Sequence, residues 1–426
     1  MSDWLSSMLA RNAHCAYLRG RTFDELPIVS YDDLLPWLER VHGGEADVLF
    51  AGRPVAYERT SGSSGASKLI PYSAEGLCDI QRAVAPWVAR HAITGSAYMA
   101  ISPATRPPES IGGIPVGLPD SAYVNVRSAV PPEVGLITDI AQWRAETIRH
   151  LTAAHDLELI SVWSPTFLLR LLDDIDDPVR TWPNLKLVSC WASAASKPYA
   201  YELRARLPHA RIEPKGLMST EAVVTIPDEE GRPALNPYGY FEFQRVADDL
   251  YEVIATTASG LYRYRTGDHV RHEGDAIYEF VGRGNLVSDL VGEKLTEPFV
   301  ARCLQSVRGF LMPELEGYAL AVEVGAAVDV AEVERRLCEN PQYAYARRLG
   351  QLKALRLMPV RDLFDRYAAA QMARGARLGD VKPAALVNTW TAAVSAAGPA
   401  ASRRREGRRD GARPAGEDAG APLRHS

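Results

Sequence analysis

The residues best suited to chemistry begin at Thr60-Ser61-Gly62-Ser63-Ser64-Gly65-Ala66-Ser67-Lys68, small, hydroxylated and flexible, ending in one cation. Glycine lets backbone N–H groups converge on a point, hydroxyls add donors, and the lysine adds a full charge, so the run is suited to wrapping an anion such as polyphosphate. A flexible surface connector has the same composition. Two familiar loops are excluded. A Walker-type P-loop needs Gly directly before Lys, where Ser67 stands, and no G-x-S-x-G nucleophile elbow can be read through the run.

Other stretches have compositions that packing alone does not demand. Thr220-Glu221 offers a carboxylate that could hold Mg²⁺, which takes one or two carboxylates and fills its other positions with water and phosphate oxygens; a helix cap is the plainer alternative. Tyr264-Arg265-Thr266-Gly267-Asp268 sets a carboxylate after a glycine bend, where two oxygens can accept both hydroxyls of a ribose, or simply close a turn on an arginine. Phe280-Val281-Gly282-Arg283-Gly284-Asn285 and Gly292-Glu293-Lys294-Leu295-Thr296-Glu297 add an arginine and a lysine, and Gly379-Asp380-Val381-Lys382-Pro383 adds a later lysine. Singly, such cations are usually just solvated. His269 and His272 fall on opposite faces of a strand, without nearby ligands to complete a metal site.

The elements around these residues follow from periodicity. Ser30 caps a predicted helix ending at Gly43, and a strand over 55–59 leads into the Ser/Gly loop, which then joins a helix beginning at Ser73. The Pro/Gly-rich passage 103–119 reads as a binding loop or a long surface connection. From Asp139, helix and strand alternate: helices 140–154, 165–175 and 198–207, strands 157–162, 185–191 and 211–214. That alternation predicts a mostly parallel sheet covered by helices, with ligands beyond the carboxyl ends of its strands. Close-set strands over 239–246, 250–256, 261–265 with 269–271, and 276–281 predict antiparallel pairing. Further on lie helices 298–307, 331–338 and 362–372 with strands 318–324 and 352–358. The expected fold is α/β: a large body over 1–285 with mostly parallel sheets and a β-rich subdomain, a small α+β domain over 286–395 beyond a possible hinge, and a disordered Ala/Gly/Arg/Pro tail over 396–426.

With 426 residues and 46% hydrophobic content, the chain can build several cores. Its 48 basic and 53 acidic residues leave a net charge of -5, which gives no general attraction to nucleic acid or an anionic membrane. Cys15, Cys78, Cys190, Cys303 and Cys338 are odd in number and widely spaced, suiting reduced thiols. No apolar stretch reaches the ~18 residues of a membrane helix, and the expected setting is cytoplasmic.

The order of these stretches resembles the acyl-adenylate-forming superfamily, and within it the auxin-responsive Gretchen Hagen family of acyl acid amido synthetases. The likeness starts at Pro27-Ile28-Val29-Ser30-Tyr31-Asp32-Asp33 and runs through 60–71, Thr220-Glu221, 264–268 and 280–297 to Lys382-Pro383. The resemblance implies that Ser61, Gly62, Ser63, Ser64 and Lys68 hold ATP phosphates, Thr220-Glu221 forms the acid motif with Glu221 on Mg²⁺, and Asp268 binds the ribose with support from Arg283. It also implies that Ser193-Ala194-Ala195 lies along the adenine, that Lys294 belongs to a hinge, and that Lys382 reaches the active site from a mobile domain. The chain departs from the family in having Ser63 where threonine is common and Leu217 where plant members have tyrosine, and it is shorter than they are.

The implied reaction is ATP-dependent. Attack of a carboxylate on the α-phosphate of ATP displaces pyrophosphate and makes an acyl adenylate, whose leaving group is AMP, and an amine, expected to be an amino acid, then forms the amide with release of AMP. The catalytic set expected is Lys68, Glu221 and Lys382, which neutralise charge while the site aligns the attack. Transfer to coenzyme A or a carrier thiol after the same first step is the nearest rival; a non-catalytic acyl- or nucleotide-binding protein is the rival of another class. Trp163, Trp191 and the 103–119 passage are candidate walls of an acyl pocket, or simply core.

Overall fold

The computed structural model describes residues 2–60, 68–104, 107–118, 126–284 and 286–388. They belong to one compact unit, residues 1–390. The expected tail over 396–426 lies outside the described residues.

The parallel sheet runs in the order Ser96–Met99, Leu157–Ser161, Leu187–Cys190, Arg211–Pro214. Its faces are set by alternation. Tyr98, Ile160, Val188 and Ile212 are in register and join a core with Phe167, Leu168 and Leu203, while Ala97, Leu159 and Leu187 face Val84 and Trp87 of the helix Ala74–Arg90. Two helices between its strands, Pro165–Leu172 and Lys197–Arg206, open with proline in the first turn, where its missing N–H is harmless.

Strands Tyr240–Ala247, Leu250–Thr256, Tyr264–His272 and Tyr278–Arg283 form an antiparallel meander. The pieces expected at 261–265 and 269–271 are one strand: Gly267, at φ 75, lies within it beside a register shift, so the chain bends without leaving the sheet. A third sheet contains Gly309–Glu314, Gly317–Glu323 and Arg356–Val360, the first pair antiparallel and the second parallel. It is buried on both faces. Leu311, Leu320 and Val322 pack with Val333 and Leu337, whereas Phe310, Met312 and Ala321 pack with Leu363 and Tyr367.

One connection differs from expectation. The Ser/Gly loop does not run straight into a helix: Leu69–Tyr72 is a strand antiparallel to Ala56–Arg59, and the helix starts after it with Ser73 as cap. All four residues of that strand are buried, so no alternation betrays it in the sequence. The 103–119 passage contains the hairpin Glu109–Ile111 and Ile114–Val116, and Val116 pairs with Tyr57, extending the same small sheet.

Among the described residues, no helix is long and apolar enough to cross a membrane. All five cysteines are free.

Candidate active site

A cleft of about 650 Å³ opens at the carboxyl ends of the parallel strands, where such sheets place their ligands. It is lined by Thr220, Glu221, Arg283 and Lys382 together with Trp163, Trp191 and residues of the 103–118 passage.

The acid motif stands on a tight turn. After the strand Arg211–Pro214, Gly216 takes φ 80, and a Cβ there would lie 2.4 Å from the Thr225 carbonyl oxygen. Glycine is required by both the conformation and the space. The Leu217 N–H donates to Thr225 Oγ1 at 2.7 Å, Ser219 N–H donates to the Ala222 carbonyl at 2.9 Å, and Met218 bridges Val223. The turn carries Glu221 into the cleft at 9% exposure, and the Tyr72 hydroxyl donates to the Thr220 carbonyl at 2.9 Å. Leu217 packs into a core with Val224, Val253 and Val270, so its side chain belongs to the sheet.

Lys68 comes to the same place from another element. Its Nζ donates to the Tyr264 hydroxyl at 2.8 Å, lies 3.9 Å from Glu221 Oε1, and stands over the rings of Tyr31 and Tyr264. These tyrosines explain the early Val29-Ser30-Tyr31 segment. Val29 exchanges hydrogen bonds with Arg263 and Arg265 beside the Tyr264 strand, and Ser30 caps the helix Tyr31–His42 through a reciprocal box with Asp33. Burial, then the charges of Glu221, Tyr31 and Asp268, push the Tyr264 phenol up, which keeps it a neutral acceptor for the ammonium.

Asp268, 2% exposed, pairs across the sheet with Arg283, whose Nε donates to Oδ1 at 3.1 Å. The Thr266 hydroxyl accepts the Asp268 N–H at 3.1 Å, fixing the bend after Gly267. Neighbouring His269 is buried and burial pulls its pKa down, whereas His272 is exposed.

Lys382 Nζ lies 4.9 Å from the centre of the Trp191 ring. Burial, then Arg283, lower its pKa to about 8; Asp268, Glu221 and Asp380 act in the opposite direction. Its backbone is tied down: the Tyr367 hydroxyl donates to the Lys382 carbonyl at 3.1 Å, and Leu311 bonds to both Ala385 and Val387.

Lys294, Ser193 and Ala194 stand apart from this group. Lys294 is exposed at φ 46 and does not line the cleft. The buried member of its segment is Glu293, which accepts the Leu290 and Val291 N–H groups at 2.8 Å each and the Tyr318 hydroxyl. Ser193 precedes the 3₁₀ turn Ala194–Ser196, and neither Ser193 nor Ala194 lines the cleft; Ala195 packs toward the Leu295 and Val300 core. Ser61, Gly62, Ser63 and Ser64 lie outside the described residues. Sequence reasoning assigned no role to Tyr31, Tyr72 or Tyr264, although two of them sit inside the quoted motifs, and it passed over Lys215. The Lys215 ammonium donates to Ser161 Oγ at 2.6 Å and lies 4.9 Å from the centre of the Trp163 ring.

Comparison with known proteins identifies the family. The GH3 family N-terminal domain matches residues 2–176, the central domain 246–277 and the C-terminal domain 307–390, in that order and over more than half the chain. The chain belongs to the GH3 family. An indole-3-acetic acid-amido synthetase, GH3.8 of Oryza sativa subsp. indica, is 22% identical across 72% of this chain and 70% of the rice protein. The structure of a GH3.15 acyl acid amido synthetase superposes with a TM-score of 0.76 at 19% identity, covering 90% of each chain. A 2-hydroxyisobutyryl-CoA ligase in a postadenylation state has a TM-score of 0.55 at 13% identity, covering 86% of this chain and 92% of its own. This GH3 protein therefore shares a mixed α/β fold with an amido synthetase and, more distantly, with an adenylate-forming CoA ligase.

Proposed function

We propose that the chain is an ATP-dependent ligase that activates a carboxylic acid as its acyl adenylate and passes the acyl group to an amine, most simply an amino acid. What carries this reading is the convergence of Glu221, Arg283 and Lys382, from separate elements, on one cleft at the carboxyl ends of a parallel sheet, with Lys68 beside Glu221 and Asp268 paired to Arg283. Asp268, held by Arg283, would accept the ribose hydroxyls, which selects a nucleoside. Lys68 and Lys382 would balance charge that develops as the acid attacks the α-phosphate. The Ser/Gly run before Lys68 would give its donors to the phosphates.

Glu221 suits Mg²⁺ better than a metal needing a full protein cage. It is a nearly buried carboxylate facing the cleft, and the cluster His14, Cys15 and Asp47, which could hold a metal, does not line that cleft. When bound, the ion would neutralise phosphate charge.

The division at about residue 285 belongs to the same proposal. The doubly covered sheet of 309–360 has its own core, which would let 286–395 move as a small domain carrying Lys382. A reducing, cytoplasmic setting suits the five free thiols.

The test supplies ATP, Mg²⁺, a broad panel of acids and the amino acids, and follows pyrophosphate and product mass. Acid-dependent pyrophosphate with an amide product is expected. A thioester formed on adding coenzyme A would move the reading to a thiol ligase, and no acid-dependent pyrophosphate with any member would sink the enzyme reading.

A further inference from the structure

Away from the cleft, two turns near the start of the chain are laced together by backbone bonds. Just beyond the helix Asp3–Asn12, the Ala16 N–H donates to the Asp47 carbonyl at 2.8 Å and the Tyr17 N–H donates to the Val48 carbonyl at 3.0 Å. Buried Asn12 closes the join from inside: its side-chain carbonyl accepts the Ala51 N–H at 3.1 Å, and its amide donates to the Tyr262 hydroxyl at 3.0 Å. The two turns are held as one piece.

Three side chains of different chemistry meet at this join. One donor atom from each of His14, Cys15 and Asp47 lies within 4.8 Å of the other two, and among the described residues this is the one such trio of histidine, cysteine and carboxylate groups. His14 Nε2 is 3.2 Å from Asp47 Oδ1. Cys15 is fully covered, whereas the His14 and Asp47 side chains are about half exposed, so the sulfur is the inner member of the group.

The backbone fixes where these groups point from. Asp47 stands at φ 57, in the left-handed region that aspartate tolerates better than most residues, and its Oδ1 accepts the Gly52 N–H at 2.7 Å. That bond orients the carboxylate and leaves lone pairs over, as outer partners of metal ligands do. The turn carrying the other two is closed as well: the Cys15 carbonyl accepts the Leu18 and Arg19 N–H groups, and the His14 carbonyl accepts from the Arg19 guanidinium at 3.2 Å.

The donor set selects the ion. Imidazole, thiolate and a single carboxylate suit Zn²⁺, whereas Mg²⁺ and Ca²⁺ take oxygen ligands throughout. Bonds of about 2.0–2.3 Å in a tetrahedral zinc site set neighbouring donors about 3.3–3.6 Å apart. His14 and Asp47 are already close to that spacing, and both are exposed enough to close over the sulfur by the remaining ~1 Å. We infer that His14, Cys15 and Asp47 form a zinc site, completed by water on its exposed side, which clamps the turn after the first helix to the 47–52 turn. On binding, the thiol releases its proton to solvent and the neutral imidazole gives its lone pair to the metal. None of the three lines the cleft, so the site stands or falls independently of the ligase reading.

The experiment uses the full chain without an affinity tag, reduced and stripped with a chelator, and titrates it with Zn²⁺ by calorimetry and with Co²⁺ by absorption. One equivalent of Zn²⁺ should bind with a Kd of about 1 μM or tighter and, at saturation, raise the thermal unfolding midpoint by about 2 °C or more. Co²⁺ should show a thiolate-to-metal charge-transfer band, which reports Cys15 without altering it. His14→Ala, and Asp47→Asn with its acceptor for Gly52 retained, should each weaken Zn²⁺ at least about tenfold. Cys15→Ser should abolish the cobalt band, and Cys338→Ser, in the core of the third sheet, should leave it unchanged. No saturable zinc binding, or binding indifferent to both His14→Ala and Asp47→Asn, overturns the site. So does cobalt bound by the wild-type chain without the charge-transfer band, which would reduce the group to a surface ion pair beside a bystander thiol.

Discussion

If Lys382 supports adenylation through its charge, the reaction should fail as pH rises through a range where an ordinary lysine is still fully protonated. The pKa falls from 10.5 to about 8 because the ammonium is enclosed and faces the Arg283 guanidinium, with Asp268, Glu221 and Asp380 only partly offsetting this. A depression of that size corresponds to about 3 kcal/mol against the charged form. The sign follows directly: the cation is the major form below pH 8 and is lost above it. For acid-dependent pyrophosphate release, kcat/KM should be level up to about pH 7.5 and then decline by about tenfold per pH unit. Bound phosphates add negative charge beside the ammonium, so the break in kcat should lie above the break in kcat/KM. Lys382→Arg keeps its charge throughout and should lose the descending limb even at reduced rate. Folding stability moves oppositely: between about pH 8 and 10.5 the unfolded chain holds this proton more tightly, so this group costs stability below pH 8 and the cost is relieved as pH rises. A limb unchanged in Lys382→Arg, or wild-type adenylation by Lys382→Ala, would refute the role.

Other substitutions separate the remaining parts. Asp268→Asn leaves Arg283 without its carboxylate in a largely buried setting; it should lower stability by about 3 kcal/mol and weaken ATP binding strongly, and an unchanged nucleotide affinity would remove the ribose assignment. Glu221→Gln should raise the Mg²⁺ concentration for half-maximal adenylation at least about tenfold, some ~1.4 kcal/mol, checked by Mg²⁺ titration; an unshifted midpoint argues against metal binding there. Gly216→Ala forces a Cβ toward the Thr225 carbonyl at positive φ and should cost about 1–3 kcal/mol in urea unfolding while displacing Glu221. Wild-type stability in that variant would show that the turn tolerates a side chain.

The parts of this site that could be read from sequence are those where several unusual residues are adjacent. Gly267 before Asp268, or Thr220 before Glu221, depart locally from any packing pattern, and both carboxylates stand at the bends such residues create. Burial on both faces erased the signal elsewhere: Leu69–Tyr72 has no alternation, and Gly309–Glu314, inside a doubly covered sheet, reads as an apolar run with a proline near its end. Lys215 illustrates a different limit. Its partner Ser161 is 54 positions away, brought near only because three strands lie side by side, and a single lysine after Pro214 has nothing in its own neighbourhood to mark it. The Lys294 segment is distinctive for a different reason: Glu293 closes the turn from inside, and the lysine is exposed.

The three lysines around the cleft share a form of support that bears on how anions can enter. Lys68 stands over Tyr31 and Tyr264, Lys215 over Trp163 and Lys382 over Trp191. An aromatic face steadies an ammonium by about 0.5–2 kcal/mol without cancelling its charge. Arg283 is arranged differently. Its guanidinium makes a direct ion pair with Asp268. On the proposed ligase reading the two tasks would divide by chemistry: the ion pair would fix Asp268 as an acceptor for hydroxyl groups, and the ring-supported lysines would answer negative charge on the substrates.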